Sequence, residues 1–175
     1  QHYGAGIVDA PAAIRKARGQ AGAGQLGLGL LCAGVAARVA RRRLGAALLL
    51  GTTVGASGLF VLPFLGKLGA TMSSWPVVTT LTLGLPSWDF ALLGAAGHGN
   101  PFFFSVLGPF ALVLFLYGVR AFRPALAGLC FGVAGHLLFF AAAPLIDIYW
   151  MPFDAAWLLA NALACIRLGQ LIIRD

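Results

Sequence analysis

Two side chains in this sequence have the types and spacing for nucleophilic catalysis. They are Ser57, in Gly55-Ala56-Ser57-Gly58, and His136, in Gly135-His136-Leu137. A serine hydroxyl is a weak nucleophile at its free pKa and needs a base within hydrogen-bond reach, which an imidazole supplies. Each lies about a dozen residues from the start of its apolar run, at Leu44 and at Pro124, so both are expected at similar depth. The competing reading is packing. Small residues let helix backbones approach in a membrane, and a buried imidazole can sit neutral, hydrogen-bonded to a neighbouring helix. Asn161 fits the same bonding role on the last run. A proton or ion pathway through His136 would need acidic partners at its depth, and every Asp falls near the end of an apolar run.

The remaining candidates are weaker. His98-Gly99-Asn100-Pro101 reads as a turn, and His98 has no second histidine or cysteine at ligand spacing. Asp147 and Asp154 flank Tyr149-Trp150-Met151-Pro152-Phe153 and could share a cation, but Pro152 breaks any common helical face. They are expected to solvate a loop end and cap the last helix. Cys32, Cys130 and Cys165 stand singly in apolar stretches, without the C-x-x-C spacing of a zinc or redox site. Gly22-Ala23-Gly24 lacks the Lys-Ser/Thr of a phosphate loop. No metal or cofactor is indicated.

The elements that must position these residues follow from composition. Of 175 residues, 60% are apolar and 10% charged; a soluble domain carries about 25% charged residues to face water. Lipid is the natural solvent of this chain. The net charge of +7 is gathered in short clusters between apolar runs, which argues for loop ends and against a nucleic-acid face. The expected fold is all-α, a polytopic bundle with spans near 21–37, 44–66, 101–119, 124–145 and 153–173. Segment 68–100 is broken by Pro86 and reads as an outer interfacial or re-entrant stretch, the rival being a sixth span.

Charge favours five spans with the N-terminus outside and the C-terminus in the cytoplasm. Arg38, Arg41, Arg42, Arg43, Arg120, Arg123, Arg167 and Arg174 then fall inside, against Arg15, Lys16, Arg18 and Lys67 outside. Asp89, Asp147 and Asp154 fall outside, as do Trp75, Trp88, Trp150 and Trp157, placed as an aromatic belt.

The first residues differ from the rest. Asp9 reads as an N-cap, Pro11 lies in the first turn, and Arg15, Lys16 and Arg18 sit near the end of a short helix. Gly19 to Gly24 reads as a flexible linker. The stretch Tyr3-Gly4-Ala5-Gly6-Ile7-Val8-Asp9-Ala10-Pro11-Ala12-Ala13-Ile14 resembles the end of a subtilisin-like serine protease (subtilase) domain. Gly4 and Gly6 match its turn, Ile7 and Val8 its apolar pair, and Asp9 the cap of its last helix. The resemblance implies that residues 1–18 close an α/β protease domain whose catalytic triad lies upstream. Beginning with Gln1 and without a cleavable signal, the chain reads as a processed product or a piece of a longer one.

On that reading the chain anchors a serine endopeptidase at the outer face of a cytoplasmic membrane. Its partners would be the bilayer, the upstream protease domain and other membrane proteins. A small transporter or channel-like bundle is the alternative. The third possibility rests on Gly55-Ala56-Ser57-Gly58, which resembles the Gly-x-Ser-Gly of rhomboid intramembrane proteases, whose serine pairs with a histidine two spans later, where His136 stands. The chain departs from that family in having fewer spans and in the direction of the helices that carry Ser57 and His136.

Overall fold

The computed structural model of the chain describes residues 10–56, 99–143, 146–148 and 151–175. Among them every regular element is helical: α1 (Ala10–Val39), α2 (Ala46–Ala56), α3 (Leu107–Leu116), a 3-10 turn (Arg120–Phe122), α4 (Arg123–Ala142) and α5 (Asp154–Arg174). Among the described residues three stretches are long and apolar enough to cross a membrane: Gln20–Val39, Arg120–Ala142 and Asp154–Arg174. Large apolar side chains stand outward on α1, α2, α3 and α5, among them Leu31, Val35, Leu50, Leu114, Phe115, Leu163 and Leu171. An apolar exterior of that extent belongs in lipid.

The helix α4 is the axis of the bundle. Leu126 to Leu137 is buried without interruption, and α1, α2, α3 and α5 all pack on it. Its contact with α2 is backbone on backbone. Gly51 and Gly55 of α2 face Gly128 and Gly132 of α4, and a methyl group on any of the four would strike main-chain atoms of the other helix. On the α1 side, Gly135 lies against Gly29 in the same way. This is the small-xxx-small packing of membrane helices, in which dispersion and close approach replace the hydrophobic effect. Two apolar clusters complete the core. One joins Ala33, Ala36 and Ala37 of α1 to Leu126, Ala127, Cys130 and Phe131 of α4. The other joins Leu129, Val133 and Leu137 of α4 to Leu158, Ala162 and Cys165 of α5. Cys130 and Cys165 are thus packing residues.

Two sequence expectations are corrected. Residues 19–24, read as a flexible linker, are part of the unbroken helix α1. Each glycine costs a helix about 1 kcal/mol relative to alanine, but backbone groups that enter lipid unpaired cost several kcal/mol each. Helix is therefore the lower-energy state there, and Gly24 gives room to the Phe139 ring.

The second correction concerns 101–119, read as a continuous span. The segment does run from one end of the bundle to the other. Gly99 lies against Asp147 and Ile148, and Tyr117 bonds to Asp175 at the far end. Only Leu107–Leu116 of it is helical, about 15 Å at 1.5 Å per residue against a core of about 30 Å. Residues 101–106 cross as turns. The other long spans are close to expectation, at α4 for 124–145 and α5 for 153–173. Residues 57–66 of the second expected span, residues 1–9, most of 68–100, and Ser57, Asp89, His98, Trp75, Trp88 and Trp150 lie outside the described residues.

The two ends of the bundle differ in charge. The α1–α2 loop with Arg38, Arg41, Arg42 and Arg43, the α3–α4 turn with Arg120 and Arg123, and the end of α5 with Arg174 share one end. They are tied together there: an Arg42 Nη donates to the Arg174 carbonyl at 3.4 Å, and the Tyr117 hydroxyl bonds the Asp175 carboxylate. Asp147 and Asp154 stand at the other end, where the backbone N–H of Ile148 donates to Asp154 Oδ1 at 3.2 Å. Asp154 thus bonds back to the preceding loop; it lies in the first turn of α5, and Phe153 occupies the cap position without a side-chain bond.

Candidate functional site

Apart from Thr52, which bonds within α2, the buried polar residues of the bundle gather around the non-helical stretch 101–106. Non-helical backbone at membrane depth is tolerated only where protein or a water-filled cavity satisfies its polar groups. Here the protein does so. The Phe102 N–H donates to Asn100 Oδ1 at 2.9 Å, and the Ser105 hydroxyl donates to the Phe102 carbonyl at 2.7 Å while accepting from the Leu107 N–H at 3.2 Å. From α5, Asn161 Oδ1 accepts the Val106 N–H at 3.0 Å, and the Trp157 indole donates to the Phe104 carbonyl at 2.9 Å. The Asn161 amide in turn donates to the Trp157 carbonyl at 3.0 Å. Asn161 and Trp157 form a clamp that holds the turn open. Trp157, expected in an interfacial belt, is half-buried and turned to this task.

The clamp sets the position of Phe104, whose buried ring stacks on the His136 imidazole with centroids 6.0 Å apart. Phe140 closes the other side, edge-on at 4.9 Å from the imidazole centroid. His136 is 5% exposed. Its Nδ1 lies 3.1 Å from Gln25 Oε1 on α1. An amide oxygen only accepts, so this bond puts the proton on Nδ1 and leaves the Nε2 lone pair free. Nε2 has no hydrogen-bond partner among the described residues. Gln25 and Phe104 were not among the residues that the sequence singled out, and Trp157 was singled out only for an interfacial belt. Gln25 carried a signal, as an uncharged amide near the start of an apolar run.

Ser57 lies outside the described residues. The last described turn of α2 packs on α4 one turn before His136, with Ala56 beside Gly132. The His136 partner among the described residues is Gln25. Asp147 and Asp154 stand apart from it, and no three His, Cys, Asp or Glu side chains converge among the described residues.

At the arginine end, the Arg123 guanidinium stacks over the Tyr117 ring at 4.5 Å, and its Nε donates to the Tyr117 carbonyl at 3.2 Å. The bond to the Asp175 carboxylate raises the Tyr117 pKa above its ordinary value, with desolvation a smaller contribution. The phenol therefore stays protonated and donating at neutral pH.

The clamp can be tested directly. Asn161→Leu orphans the Val106 N–H and is expected to destabilise the folded chain by about 1–2 kcal/mol, the upper range for a side-chain hydrogen bond in a membrane. Unfolding in mixed micelles with increasing denaturing detergent measures it; Asn161→Gln, which keeps an uncharged amide acceptor, is expected to lose less. Equal losses would show that the Val106 bond is not the important one.

A glycine-packed helical membrane bundle with a buried, hydrogen-bonded histidine and oppositely charged ends is the class of protein these features define. The chain belongs to the family described as a domain of unknown function (DUF5942), whose profile matches residues 29–175. No curated protein and no solved structure matches it.

Proposed function

We propose that the chain is the membrane module of a subtilisin-like serine endopeptidase, holding the protease domain at the outer face of a cytoplasmic membrane. The observation that carries this reading is the continuity of α1. The subtilase-like tail ends in the helix beginning at Ala10, and that helix runs on to Val39 without a break. Gln25 is level with His136, six residues before the end of α4. Residues 10–19 therefore extend about 15 Å beyond that end of the bundle at 1.5 Å per residue, forming a stalk instead of a loose tether. The family match begins at residue 29, inside α1, so the subtilase-like tail precedes the matched domain.

On this reading the arginine end faces the cytoplasm, in keeping with the positive-inside rule, and the stalk faces outward. The parent cleaves peptide bonds with a triad supplied upstream of this chain. The experiment is a pair of reporter fusions, after Ala17 and after Asp175. An external signal at the first and a cytoplasmic one at the second are expected; a cytoplasmic signal at Ala17 overturns the reading, since a secreted protease cannot be tethered there.

One observation favours a second reading, a small transporter-like bundle. Broken helices beside buried polar groups mark the binding sites of many transporters, and residues 101–106 lie beside His136 through Phe104. That reading predicts solute flux in reconstituted vesicles that His136→Leu abolishes; vesicles without flux dispose of it.

A further inference from the structure

We propose that the arginine end of the bundle is a composite binding site for the phosphodiester headgroup of an anionic glycerophospholipid. Three chain segments distant in sequence build it: the α1–α2 loop, the α3–α4 turn and the end of α5. Two of its arginines are held in place by the fold. Arg42 is bonded to the Arg174 carbonyl, and Arg123 is fixed on Tyr117 by its ring contact and its Nε bond. Arg41, Arg43 and Arg120 stand exposed around them. Arg41 adopts φ +53°, a left-handed backbone uncommon for a residue with a side chain, which turns the chain sharply between Arg38 and Arg43.

Among the described residues the charge of this end is not answered. Asp175 is its one carboxylate among the described residues, and that group is engaged by Tyr117. Every cation there among the described residues is arginine. A guanidinium presents a planar fork of N–H donors that meets two phosphate oxygens at once, where a lysine offers a point charge.

The surroundings select a lipid over a free anion. Val39, Leu44, Val119, Phe122 and Leu171 border the arginines and are all exposed, from 48% to 65%. A ligand that satisfies both the guanidinium cluster and this apolar border has a phosphate head and hydrocarbon chains. Each arginine near a membrane surface contributes roughly 1 kcal/mol of attraction to anionic lipid, or about fivefold in affinity.

The test uses the purified full chain in neutral detergent, titrated with phosphatidylglycerol or with phosphatidylcholine, bound lipid being counted by native mass spectrometry. Phosphatidylglycerol is expected to bind at least about tenfold tighter. The triple variant Arg41→Gln, Arg43→Gln, Arg120→Gln, which leaves the bonded Arg42 and Arg123 in place, is expected to lose most of that preference with an unchanged thermal midpoint. Equal binding of the two lipids by the unmodified chain overturns the proposal, whatever the variant does. Full displacement of phosphatidylglycerol by millimolar inorganic phosphate, at an ionic strength matched with chloride, also overturns it, in favour of a free-phosphate site.

Discussion

Replacing Gly132 by leucine is expected to destroy the α2–α4 contact and to cost the folded chain about 3 kcal/mol or more, at or beyond the upper end of the usual penalty for overpacking. The reason is what the new side chain would meet. A Cβ at Gly132 runs into the Thr52 carbonyl and lies 2.5 Å from the Ala56 nitrogen. Both are main-chain atoms of a helix, and neither can rotate aside. Separating the helices would also pull Gly29 of α1 from its position against Gly132 and Thr52, so the damage spreads to three helices. The comparison is Gly27→Ala on the outward side of α1, where an added methyl meets nothing within 4 Å; its stability is expected to equal or slightly exceed that of the parent. Thermal unfolding in detergent, followed by helical circular dichroism, distinguishes the two. A Gly132→Leu chain that melts with the parent would mean that α2 does not sit on α4 as described.

The second large effect is expected at the His136–Gln25 pair. Gln25→Leu leaves both imidazole nitrogens without a partner among the described residues, because Nε2 already lacks one. His136→Leu leaves the Gln25 amide oxygen stranded among apolar neighbours. Either change is expected to cost about 1–2 kcal/mol, the price of one buried polar group left unsatisfied. The double variant should cost less than the sum of the two, because it removes both polar groups together. The coupling is expected near 0.6 kcal/mol and no more than about 1.7 kcal/mol, the range found between membrane helices. A double-mutant cycle on unfolding free energy measures it. Strict additivity would show that the 3.1 Å contact contributes nothing.

A third role for His136 is not needed to explain its burial. Phe104 and Phe140 enclose it, Gln25 binds it, and the Asn161–Trp157 clamp fixes Phe104. The imidazole is thereby joined to α1, α4, α5 and the turn between them. A catalytic reading with Ser57 must still bring that hydroxyl to the free Nε2, and the unmodified turnover of a membrane substrate by Ser57→Ala would end it.

Much of this architecture was legible in the sequence. The scarcity of charge required lipid as the solvent, and the spacing of apolar runs between arginines placed α4 and α5 within a few residues. The grouping of Arg38, Arg41, Arg42, Arg43, Arg120, Arg123, Arg167 and Arg174 on one side of the membrane was an inference from charge; the structure brings all of them to one end except Arg167, which lies about two turns earlier in α5. His136 and Asn161 stood out as polar residues in apolar runs, and both are buried and hydrogen-bonded.

What the sequence could not supply was which face meets which. In water, a helix marks its inner face by apolar periodicity. In lipid, inner and outer faces are both apolar, so that signal vanishes. Two G-x-x-x-G patterns, Gly51 to Gly55 and Gly128 to Gly132, were present to be read, but nothing local says that they face each other. The same holds for the turn at 101–106. Its residues are apolar enough for a span; Asn100 and Ser105 satisfy part of its backbone locally, but the Val106 N–H and the Phe104 carbonyl depend on Asn161 and Trp157, more than fifty residues away. Composition and charge determined the solvent, the helices and the polarity of the ends. Close backbone approach and long-range hydrogen bonds, which depend on atoms brought together from distant parts of the chain, were decided only by the tertiary structure.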